Sequence, residues 1–475
     1  MTNGTTPLPD GFRVTLDPGT KQLTDTLWFG GTPARVLRLS ASGQTAWAGL
    51  TDGPVNSPAT GTLARRFTDA GLAHPVPPPS NPPDVTIVIP VHDRAEALAR
   101  CLGALDGQHP VIVVDDASAE PEKIAAVTAE HGAKLVRRST NGGPAAARNT
   151  GLEHVTTEFA AFLDSDCVPS PEWTDQLAAH FADPLVAAVA PRIRSLAPDT
   201  RAGRYTRAAG SLDLGDAQAR VAPGTRVSYV PTAALVVRRA ALESVARGGA
   251  VFDPAMRVGE DVDLVWRLDA AGWRVRYVPS VEIGHEEPTT WRGLLSRRFR
   301  YGTSAAPLTQ RHPDAMAPLV LHPWPTLTVA GLLAQRPLLA AAGFAGAVLS
   351  MRKTLREGDI PADGVTRAMG GAVHQTWLGI GRYSTQFAAP ALAVLLAAGG
   401  RRRLAAASLL LGPPVAGWLA RRPDLGVVRY SVAAIADDVA YGAGVWAGCL
   451  THRTTAPLRP RVAWRPLRID RKERR

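Results

Sequence analysis

Cysteine and lysine are scarce in this sequence of 475 residues. Its three cysteines, Cys101, Cys167 and Cys449, are far apart and odd in number, and none has C-x-x-C spacing. This pattern argues against a disulfide framework or a structural zinc site and fits a reducing compartment. Only five of the 53 basic residues are lysine, and the formal net charge is +11. The basic excess is therefore mainly arginine, and it predicts a solvated basic surface. Because the sequence has no zinc-finger, helix-turn-helix or basic–aromatic RNA-binding motif, we expect no nucleic-acid partner.

A secretory signal and a long uninterrupted apolar run are also missing. The N-terminal residues MTNGTTPLPDGF have no basic region followed by an apolar stretch, so we expect a cytoplasmic location. Residues 317–450 are rich in Ala, Leu, Gly and Val, but arginines or the Pro413–Pro414 pair interrupt their apolar segments. A spanning helix needs about 20 apolar residues, and arginine at mid-bilayer costs about 2.5–3.5 kcal/mol. Interfacial helices on the cytoplasmic side of the cell membrane fit this composition, and a buried helical domain in a soluble protein fits nearly as well.

The chain divides into four segments by composition. Residues 1–74 contain short apolar segments and the helical pattern GTLARRFTDAGL, and the Pro-rich residues 75–84 predict an extended linker. In residues 85–307, near-uniform apolar strands alternate with helices, which predicts an α/β domain with a parallel sheet covered on both faces. Residues 308–475 predict an apolar helical region that ends in the basic tail RIDRKERR.

Polar residues follow the predicted strands at the points where these end. They lie at 92–94, at 115–116, and at Asp164 and Asp166 after the apolar run FAAFL. Ligands of parallel sheets bind at the carboxyl ends of the strands. Side chains at i and i+2 of a strand project to the same side, so Asp164 and Asp166 would converge and need a cation between them. For a lone D-x-D, an Asp-rich turn before a helix is the alternative.

Three further motifs carry candidate functional groups. The glycines of NGGPAAARNTG precede a helix start that can favour an anion, with Arg148 one turn in, although an ordinary helix start gives the same pattern. Glu260 and Asp261 open another helix, where acids would also complement the helix dipole. His285 ends a strand-like segment, and a lone histidine is more often a satisfied core or surface residue. Asp116 could equally cap a helix.

Taken in order, these motifs resemble the family-2 glycosyltransferases, which have the GT-A fold, a Rossmann-like nucleotide-sugar domain. The resemblance spans residues 85–301 and covers VTIVIPVHDR, VVDDAS, NGGPAAARNTG, FLDSDC, GEDVDLVWRLDAAG and the histidine of IGHEE. It implies an inverting, UDP-sugar-dependent hexosyltransferase with a nucleotide-sugar donor. The family's Q-x-x-R-W signature is missing, and RRFRYG at 297–302 occupies a comparable place, so processive polymer synthesis is not expected.

The resemblance also assigns roles to individual residues. These roles are nucleotide contacts for Pro90, Asp93, Arg94 and Asp116; bracing of the nucleotide and carboxylates by Arg148; the first acid of D-x-D for Asp164; metal ligation by Asp166 and His285; and catalysis by the general base Asp261 with its neighbour Glu260. Oxygen-rich ligation with one imidazole suits Mn²⁺ or Mg²⁺ better than Zn²⁺.

Residues 1–74 resemble the opening of the actinobacterial mycofactocin-system glycosyltransferases. Their layout also resembles the small winged-helix peptide-recognition domains of peptide-modifying enzymes, although a capping or oligomerisation module would fit them too. The resemblance implies that the acceptor is the precursor of mycofactocin, a peptide-derived redox cofactor, and that β-linked glucose units come from UDP-glucose. Two alternatives stay open: a membrane-associated transferase acting on a cell-wall or lipid acceptor, and a non-catalytic peptide-binding protein with a degenerate GT-A domain.

Overall fold

The computed structural model describes residues 6–79, 84–105, 107, 109–464 and the backbone of 468–469. Residues 80–83 of the predicted linker and 470–475 of the predicted basic tail lie outside the described residues. The chain forms two compact units. The first contains Met1–Ala197 and Ala209–Glu287, and the second contains Pro198–Ala208 and Pro288–Arg475.

The first unit begins with a small layer of strands and two helices. Its elements are β1 (Arg13–Leu16), β2 (Lys21–Thr24), β3 (Leu27–Gly30), β4 (Arg35–Arg38), α1 (Ala41–Asp52), α2 (Pro58–Ala70) and β5 (Ala73–Val76). Strands β2, β3 and β4 pair as an antiparallel meander, and β1 pairs antiparallel with β5. The strand β5 therefore includes the first two residues of the predicted linker. The winged-helix-like character of this layer stays a prediction.

Local sequence signals explain helix α2. Oγ of Ser57 accepts a hydrogen bond from the Thr60 amide, and Oγ1 of Thr60 accepts one from the Ser57 amide, which forms a capping box around Pro58. Gly71, with φ of 72°, ends the helix in the left-handed conformation that glycine adopts without strain. The aromatic ring of Phe67, inside the helix, then packs against Trp28 and Trp47 in the core of the layer.

The rest of the first unit is built around one large sheet. The elements that follow are β6 (Val85–Val91), α3 (Ala95–Gly103), β7 (Val111–Asp115), α4 (Pro121–Glu130), β8 (Lys134–Arg137), α5 (Pro144–Leu152), β9 (Phe159–Leu163), β10 (Cys167–Pro169), α6 (Trp173–Ala178), β11 (Val186–Ser195), α7 (Arg201–Ala209), β12 (Ala219–Val221), β13 (Ala234–Arg238), α8 (Arg239–Val245), α9 (Glu260–Ala270) and β14 (Arg274–His285). Helix α7 belongs almost entirely to the second unit, where Tyr205 lies against Tyr430.

The strand order of the large sheet is β10-β14-β11-β13-β9-β6-β7-β8, and β12 also pairs with β14. Strands β8, β7, β6 and β9 are parallel, as predicted. The predicted parallel arrangement is wrong for β13, which runs antiparallel to both β9 and β11. A strand buried on both faces is apolar whichever way it runs, so its composition does not reveal its direction.

The strand order also contains a switch point beside β6. The chain runs from β6 through β7 to β8 on one side of β6 and then returns to place β9 on its other side. In open α/β sheets, such a switch point separates the loops at the carboxyl ends of the strands and forms the ligand site. The segments after β6, β7 and β9 are those that carry the predicted site residues 93–94, 116 and 164–166.

The second unit is mainly helical, which confirms the predicted apolar helical C-terminal region. Its elements after α7 are α10 (Trp291–Thr303), α11 (Ala305–Arg311), β15 (Val320–Leu321), α12 (Pro323–Leu333), α13 (Pro337–Glu357), α14 (Val365–Phe387), α15 (Ala389–Ala398), α16 (Gly400–Arg421), α17 (Val427–Thr451), β16 (Arg461–Val462) and β17 (Arg468–Ile469). The predicted boundary at residue 307 lies inside α11, and the first unit ends at Glu287.

Helices α13 and α16 are long and apolar enough, by length and composition, to cross a membrane. The sequence predicted an interruption at Pro413 and Pro414, but α16 continues through both. A Cβ on Gly381 of α14 would lie 2.7 Å from Cγ of Pro413, so the glycine leaves room for the proline ring. Packing against a neighbouring helix therefore accommodates a residue that would break an isolated one.

Candidate active site

The D-x-D acids lie in a turn and not in a strand. Strand β9 ends at Leu163, and the Cys167 amide donates a 2.9 Å hydrogen bond to the Asp164 carbonyl, which closes a four-residue turn. The expectation that Asp164 and Asp166 project together from a strand was therefore wrong. In the turn the two carboxylates have different cationic partners: Arg148 for Asp164 and Arg94 for Asp166.

Main-chain register brings Asp166 and His285 together. Strand β10 pairs antiparallel with β14 so that Cys167 lies opposite His285, and the Glu286 amide donates to the Asp166 carbonyl. As a result, Nε2 of His285 lies 3.5 Å from Oδ1 of Asp166, and both side chains are largely buried. On its other side, Nδ1 of His285 lies 3.3 Å from a carboxylate oxygen of Glu287. A carboxylate in that place fixes the orientation of the imidazole.

Glu287 was not among the residues singled out from the sequence. Its spacing of two residues from His285, at the end of a strand, was the available signal. Such a spacing places two side chains on one side of an extended chain.

Arg148 joins the D-x-D turn to the start of helix α9. Its guanidinium donates to Oδ1 of Asp164 at 2.6 Å and to Oε1 of Glu260 at 2.8 Å. The arginine is 3 % exposed, and Cζ of its guanidinium lies 5.8 Å from the centre of the Phe252 ring, within the range of a cation–π contact. A buried cation with two carboxylate partners is a rigid connection, because removal of any member leaves an uncompensated charge.

Asp261 has a perturbed acidity at the same helix start. Burial, together with the negative charge of the adjacent Glu260, raises the pKa of the Asp261 carboxyl to about 7. The Val262 amide donates a 2.8 Å hydrogen bond to Oδ1 and opposes this increase in pKa. A carboxyl with a pKa near neutrality is suited to accept a proton from a hydroxyl at physiological pH.

Asn149 fixes the segment that precedes this helix. Its Nδ2 donates to the Phe252 carbonyl at 2.7 Å, and its Oδ1 accepts from the Phe252 amide at 2.9 Å. Both polar groups of the Asn149 side chain therefore bind the backbone of a single residue, Phe252. Sequence reasoning placed both Arg148 and Asn149 one turn into helix α5 but gave a role only to Arg148. A polar residue beside a site arginine on a buried helix was the only signal.

Asp116, at the end of β7, holds the glycine-rich loop. Its two carboxylate oxygens accept hydrogen bonds from the Gly142 and Gly143 amides at 3.0 and 2.7 Å, and Nε of Arg138 donates to it at 2.7 Å. The structure thus places Asp116 between the end of β7 and the start of α5. A contact of this carboxylate with the uracil or ribose stays a prediction.

The first-strand residues lie beside the loop that follows β7. Pro90 is within β6, opposite Val114 of β7. Asp93 has a positive φ of 54°, and its carboxylate accepts from the Ala119 amide at 2.7 Å. Arg94 follows directly and its guanidinium contacts Oδ2 of Asp166. Their predicted contacts with a nucleotide stay predictions.

The donor set suits a divalent metal bound together with a diphosphate. Among the described residues, no group of three or more His, Cys, Asp or Glu side chains is arranged to hold a metal ion. Asp166 and His285 supply two donors, and the guanidinium of Arg94 already places positive charge on Asp166. Mg²⁺ is commonly held by one or two protein carboxylates plus substrate phosphates and water. Two protein donors therefore fit an ion that is completed by its substrate.

Comparison with known proteins identifies the family. The sequence model of glycosyl transferase family 2 matches residues 86–245. A pre-mycofactocin glycosyltransferase of Mycobacterium tuberculosis is 41% identical over 479 residues, which cover 96% of this chain and 99% of the relative. The chain belongs to glycosyl transferase family 2. This confirms the family resemblance and, with it, the GT-A fold class of the domain that carries the site.

Another curated relative and a solved structure match less strongly. The glycosyltransferase AglE of Haloferax volcanii is 29% identical over 231 residues, which cover 46% of this chain and 72% of the relative. A mannosyltransferase of Pyrobaculum calidifontis, solved in complex with GDP-Man and Mn²⁺, is 21% identical with a TM-score of 0.44. The match covers 80% of this chain and 89% of the mannosyltransferase.

Proposed function

We propose that this family-2 glycosyltransferase is a metal-dependent, inverting hexosyltransferase that adds β-linked glucose from UDP-glucose to the mycofactocin precursor. The observation that carries the proposal is the connection through Arg148. It joins the D-x-D turn, with Asp166 beside His285, to the helix start that carries Asp261. Groups suited to hold a nucleotide diphosphate and a group suited to take up a proton therefore belong to one site.

At the donor end, Asp166 and His285 would hold Mn²⁺ or Mg²⁺ against the diphosphate. The bound ion would supply Lewis-acid stabilisation of the charge that develops on the leaving group. Arg94 is exposed enough to move from Asp166 onto a phosphate. Asp116 keeps the glycine-rich loop in place through its two amides, and Arg148 holds Asp164.

At the acceptor end, Asp261 would remove the proton from the attacking hydroxyl as it reaches the anomeric carbon. General-base catalysis typically contributes about 10²- to 10⁴-fold. Glu260 contributes through its negative charge, which helps to keep the Asp261 carboxyl a better proton acceptor than an ordinary aspartate. A single displacement of this kind converts an α-linked donor into a β-glycoside.

The acceptor is inferred from similarity along the whole chain. The pre-mycofactocin glycosyltransferase of M. tuberculosis matches the N-terminal layer and the C-terminal helices as well as the transferase domain. UDP-glucose, the addition of several glucose units and recognition of a peptide-derived acceptor by residues 1–74 come from the resemblance to the mycofactocin-system enzymes. They require a direct test.

The test uses the purified full chain with Mn²⁺, Mg²⁺ or EDTA, a panel of nucleotide sugars and the mycofactocin precursor. We expect mass spectrometry to show addition of hexose only with a divalent metal and UDP-glucose. Asp261→Asn should abolish transfer while UDP binding by calorimetry survives. Transfer by that variant would remove Asp261 from the role of base. If neither transfer nor UDP-glucose hydrolysis occurs with any donor, a non-catalytic binding protein is the better interpretation.

A membrane surface is favoured by the apolar side chains that the second unit leaves exposed. Leu338 is 86 % exposed, Val428 is 72 % exposed and Leu450 is 76 % exposed, and arginines 401–403 and 421–422 lie at the ends of helix α16. Exposed apolar side chains together with arginines at helix ends suit the cytoplasmic surface of an anionic membrane. This observation also favours a lipid acceptor as the second candidate function.

Cell fractionation and flotation on vesicles test the membrane proposal. We expect the chain to float with vesicles that contain anionic lipid and to need detergent for release from the membrane fraction. A fully soluble, vesicle-free chain would contradict membrane association. Transfer of hexose to a lipid extract in place of the mycofactocin precursor would support the lipid-acceptor alternative.

A further inference from the structure

Two arginines bind the acids of the D-x-D turn, and they differ in how firmly they are held. Arg148 is 3 % exposed and donates to both Asp164 and Glu260. The side chain of Arg94 is 58 % exposed, and within the described residues its guanidinium has one hydrogen-bond partner, Oδ2 of Asp166. Arg148 is therefore a fixed part of the site, whereas Arg94 can exchange its partner.

The backbone on both sides of the contact between Arg94 and Asp166 is fixed. The amide of Asp93, one residue before Arg94, donates to Oγ of Ser118 at 2.9 Å. On the other side, the Asp166 carbonyl accepts from the Glu286 amide at 2.9 Å. Departure of Arg94 therefore needs only a change of its side-chain rotamers and leaves the main chain of the turn in place.

The Arg94 guanidinium uses the carboxylate that a metal ion would need. Asp166 has one oxygen, Oδ2, in contact with Arg94, and its other oxygen, Oδ1, lies 3.5 Å from Nε2 of His285. A divalent ion held by Asp166 would share that carboxylate with the guanidinium, and two like charges on one carboxylate repel each other. Arg94 also neutralises the negative charge of the donor pair, which weakens its attraction for a cation.

A diphosphate changes this balance because it offers Arg94 another anion. Arginine forms strong charge-assisted hydrogen bonds with phosphate oxygens, often two at once. Once the guanidinium contacts a phosphate, the Asp166 carboxylate regains its full negative charge toward a metal ion. A nucleotide therefore strengthens metal binding in two ways, through its own phosphate oxygens and through removal of Arg94 from Asp166.

We propose that Arg94 competes with the metal ion for Asp166 and that a nucleoside diphosphate ends this competition. Without nucleotide, Arg94 keeps the metal affinity of the chain low. With nucleotide bound, the same side chain holds a phosphate, so metal and nucleotide each raise the affinity of the chain for the other by the same factor. This inference rests on the proposed function, since it takes Asp166 and His285 as the metal site.

Binding of Mn²⁺ to the full chain without nucleotide tests the competition. The free ion gives an electron paramagnetic resonance signal that is lost on binding, so a titration yields the Kd. We expect Arg94→Met to bind Mn²⁺ about three- to tenfold more tightly than the wild-type chain, the effect of one partly exposed ion pair. Equal or weaker binding of Mn²⁺ by Arg94→Met would overturn the proposal.

The matched control is Arg239→Met, which removes the same charge from helix α8. Arg239 pairs there with Glu243, and its amide donates to the Glu158 carbonyl, just before β9 begins. It therefore lies at the opposite end of β9 from the D-x-D turn. We expect its Kd for Mn²⁺ to equal that of the wild-type chain. A gain in affinity as large as that of Arg94→Met would show a general effect of net charge and would overturn the proposal.

The same titration with UDP separates this inference from the proposed function. After correction for the Mn²⁺–UDP complex that forms without protein, UDP should lower the Kd for Mn²⁺ more in the wild-type chain than in Arg94→Met. If UDP lowers the Kd equally in both chains, only the role of Arg94 is overturned. If the wild-type chain binds no Mn²⁺ even with UDP, the proposed function fails together with this inference.

Crystals of the wild-type chain with Mn²⁺ and UDP give a second measurement that needs no variant. We expect the Arg94 guanidinium to lie within hydrogen-bond distance of a phosphate oxygen and out of contact with Asp166. Arg94 still in contact with Asp166 beside a bound ion would overturn the proposal, even if Arg94→Met fails to fold.

Discussion

At the scale of single residues, burial and the charges of Glu260 and Arg148 set the acidity of the proposed base. Asp261 has its pKa raised to about 7, first by burial and then by the charge of Glu260, while the charge of Arg148 acts in the opposite direction. We therefore expect kcat/KM to rise with pH through about 7, as the carboxyl loses its proton, and to level off above. Steady-state rates measured between pH 5 and 9 give the midpoint of this rise in kcat/KM, the ascending limb of the pH profile.

The matched variant for this pH dependence is Glu260→Gln. It removes the negative charge and leaves Arg148 with Asp164, so the midpoint of the limb should move to lower pH. Glu243→Gln, an exposed acid of α8, should leave it unchanged. A midpoint that stays near 7 in Glu260→Gln would show that another group titrates.

The same carboxyl should cost stability at neutral pH. Because its pKa is raised from 3.8 to about 7 in the folded chain, the folded state holds the proton more tightly than the unfolded state. Stability therefore falls as pH rises from about 4 to about 7. We expect Asp261→Asn to raise the free energy of unfolding at pH 8 by about 1–4 kcal/mol and to have little effect at pH 4. Urea unfolding at both pH values measures this, and a destabilised variant at pH 8 would contradict it.

At the scale of elements, Asn149 links helix α5 to the segment before helix α9. We expect Asn149→Ala to lose both hydrogen bonds to Phe252, to cost about 1–3 kcal/mol and to lower kcat up to about 10²-fold, since misplaced catalytic groups react slowly. The KM for the donor should change little. Asn141→Ala, at the start of the same motif, removes an exposed contact with Arg257 and is the control. A normal kcat in Asn149→Ala would show that the segment keeps its place without this link.

The crossing of helices α10 and α17 depends on glycine. A Cβ on Gly444 would lie 1.9 Å from the Phe299 carbonyl oxygen, whereas a Cβ on Gly370, exposed within α14, would meet nothing within 4 Å. We expect Gly444→Ala to destabilise the chain by about 1–3 kcal/mol or more. Gly370→Ala should stabilise it by about 0.5–1 kcal/mol, because alanine is the better helix former. The melting temperatures of the two variants test this prediction. Equal melting temperatures would show that α10 and α17 can move apart enough to accommodate the added methyl group.

At the scale of the whole molecule, the order of motifs was enough to predict the family and the fold class of the transferase domain. The pairing of Asp166 with His285 and of Arg148 with Asp164 follows residues that the resemblance named. The antiparallel direction of β13 and the passage of α16 through Pro413 were not predictable. Both depend on packing against distant elements, which local composition does not record.

The attachment of the N-terminal layer also depends on such a distant contact. Arg65 of α2 and Asp183 lie 2.7 Å apart and are almost completely buried. We expect Arg65→Met to cost about 3–5 kcal/mol, because Asp183 would then be buried without a partner. The double variant Arg65→Met/Asp183→Leu should recover most of this loss. Calorimetric unfolding of both variants tests the coupling, and an unchanged single variant would contradict it.

Strand β10 has only three residues, but its alignment with β14 decides which side chains meet at the proposed metal site. The alternation of a strand has a period of two, so a slip of one residue would turn Asp166 away from His285 while the composition stayed the same. Replacing the half-buried Val168 should therefore matter less than deleting it. In this part of the chain, the number of residues between the turn and the strand is as much a requirement for the proposed metal site as the identity of its two side chains.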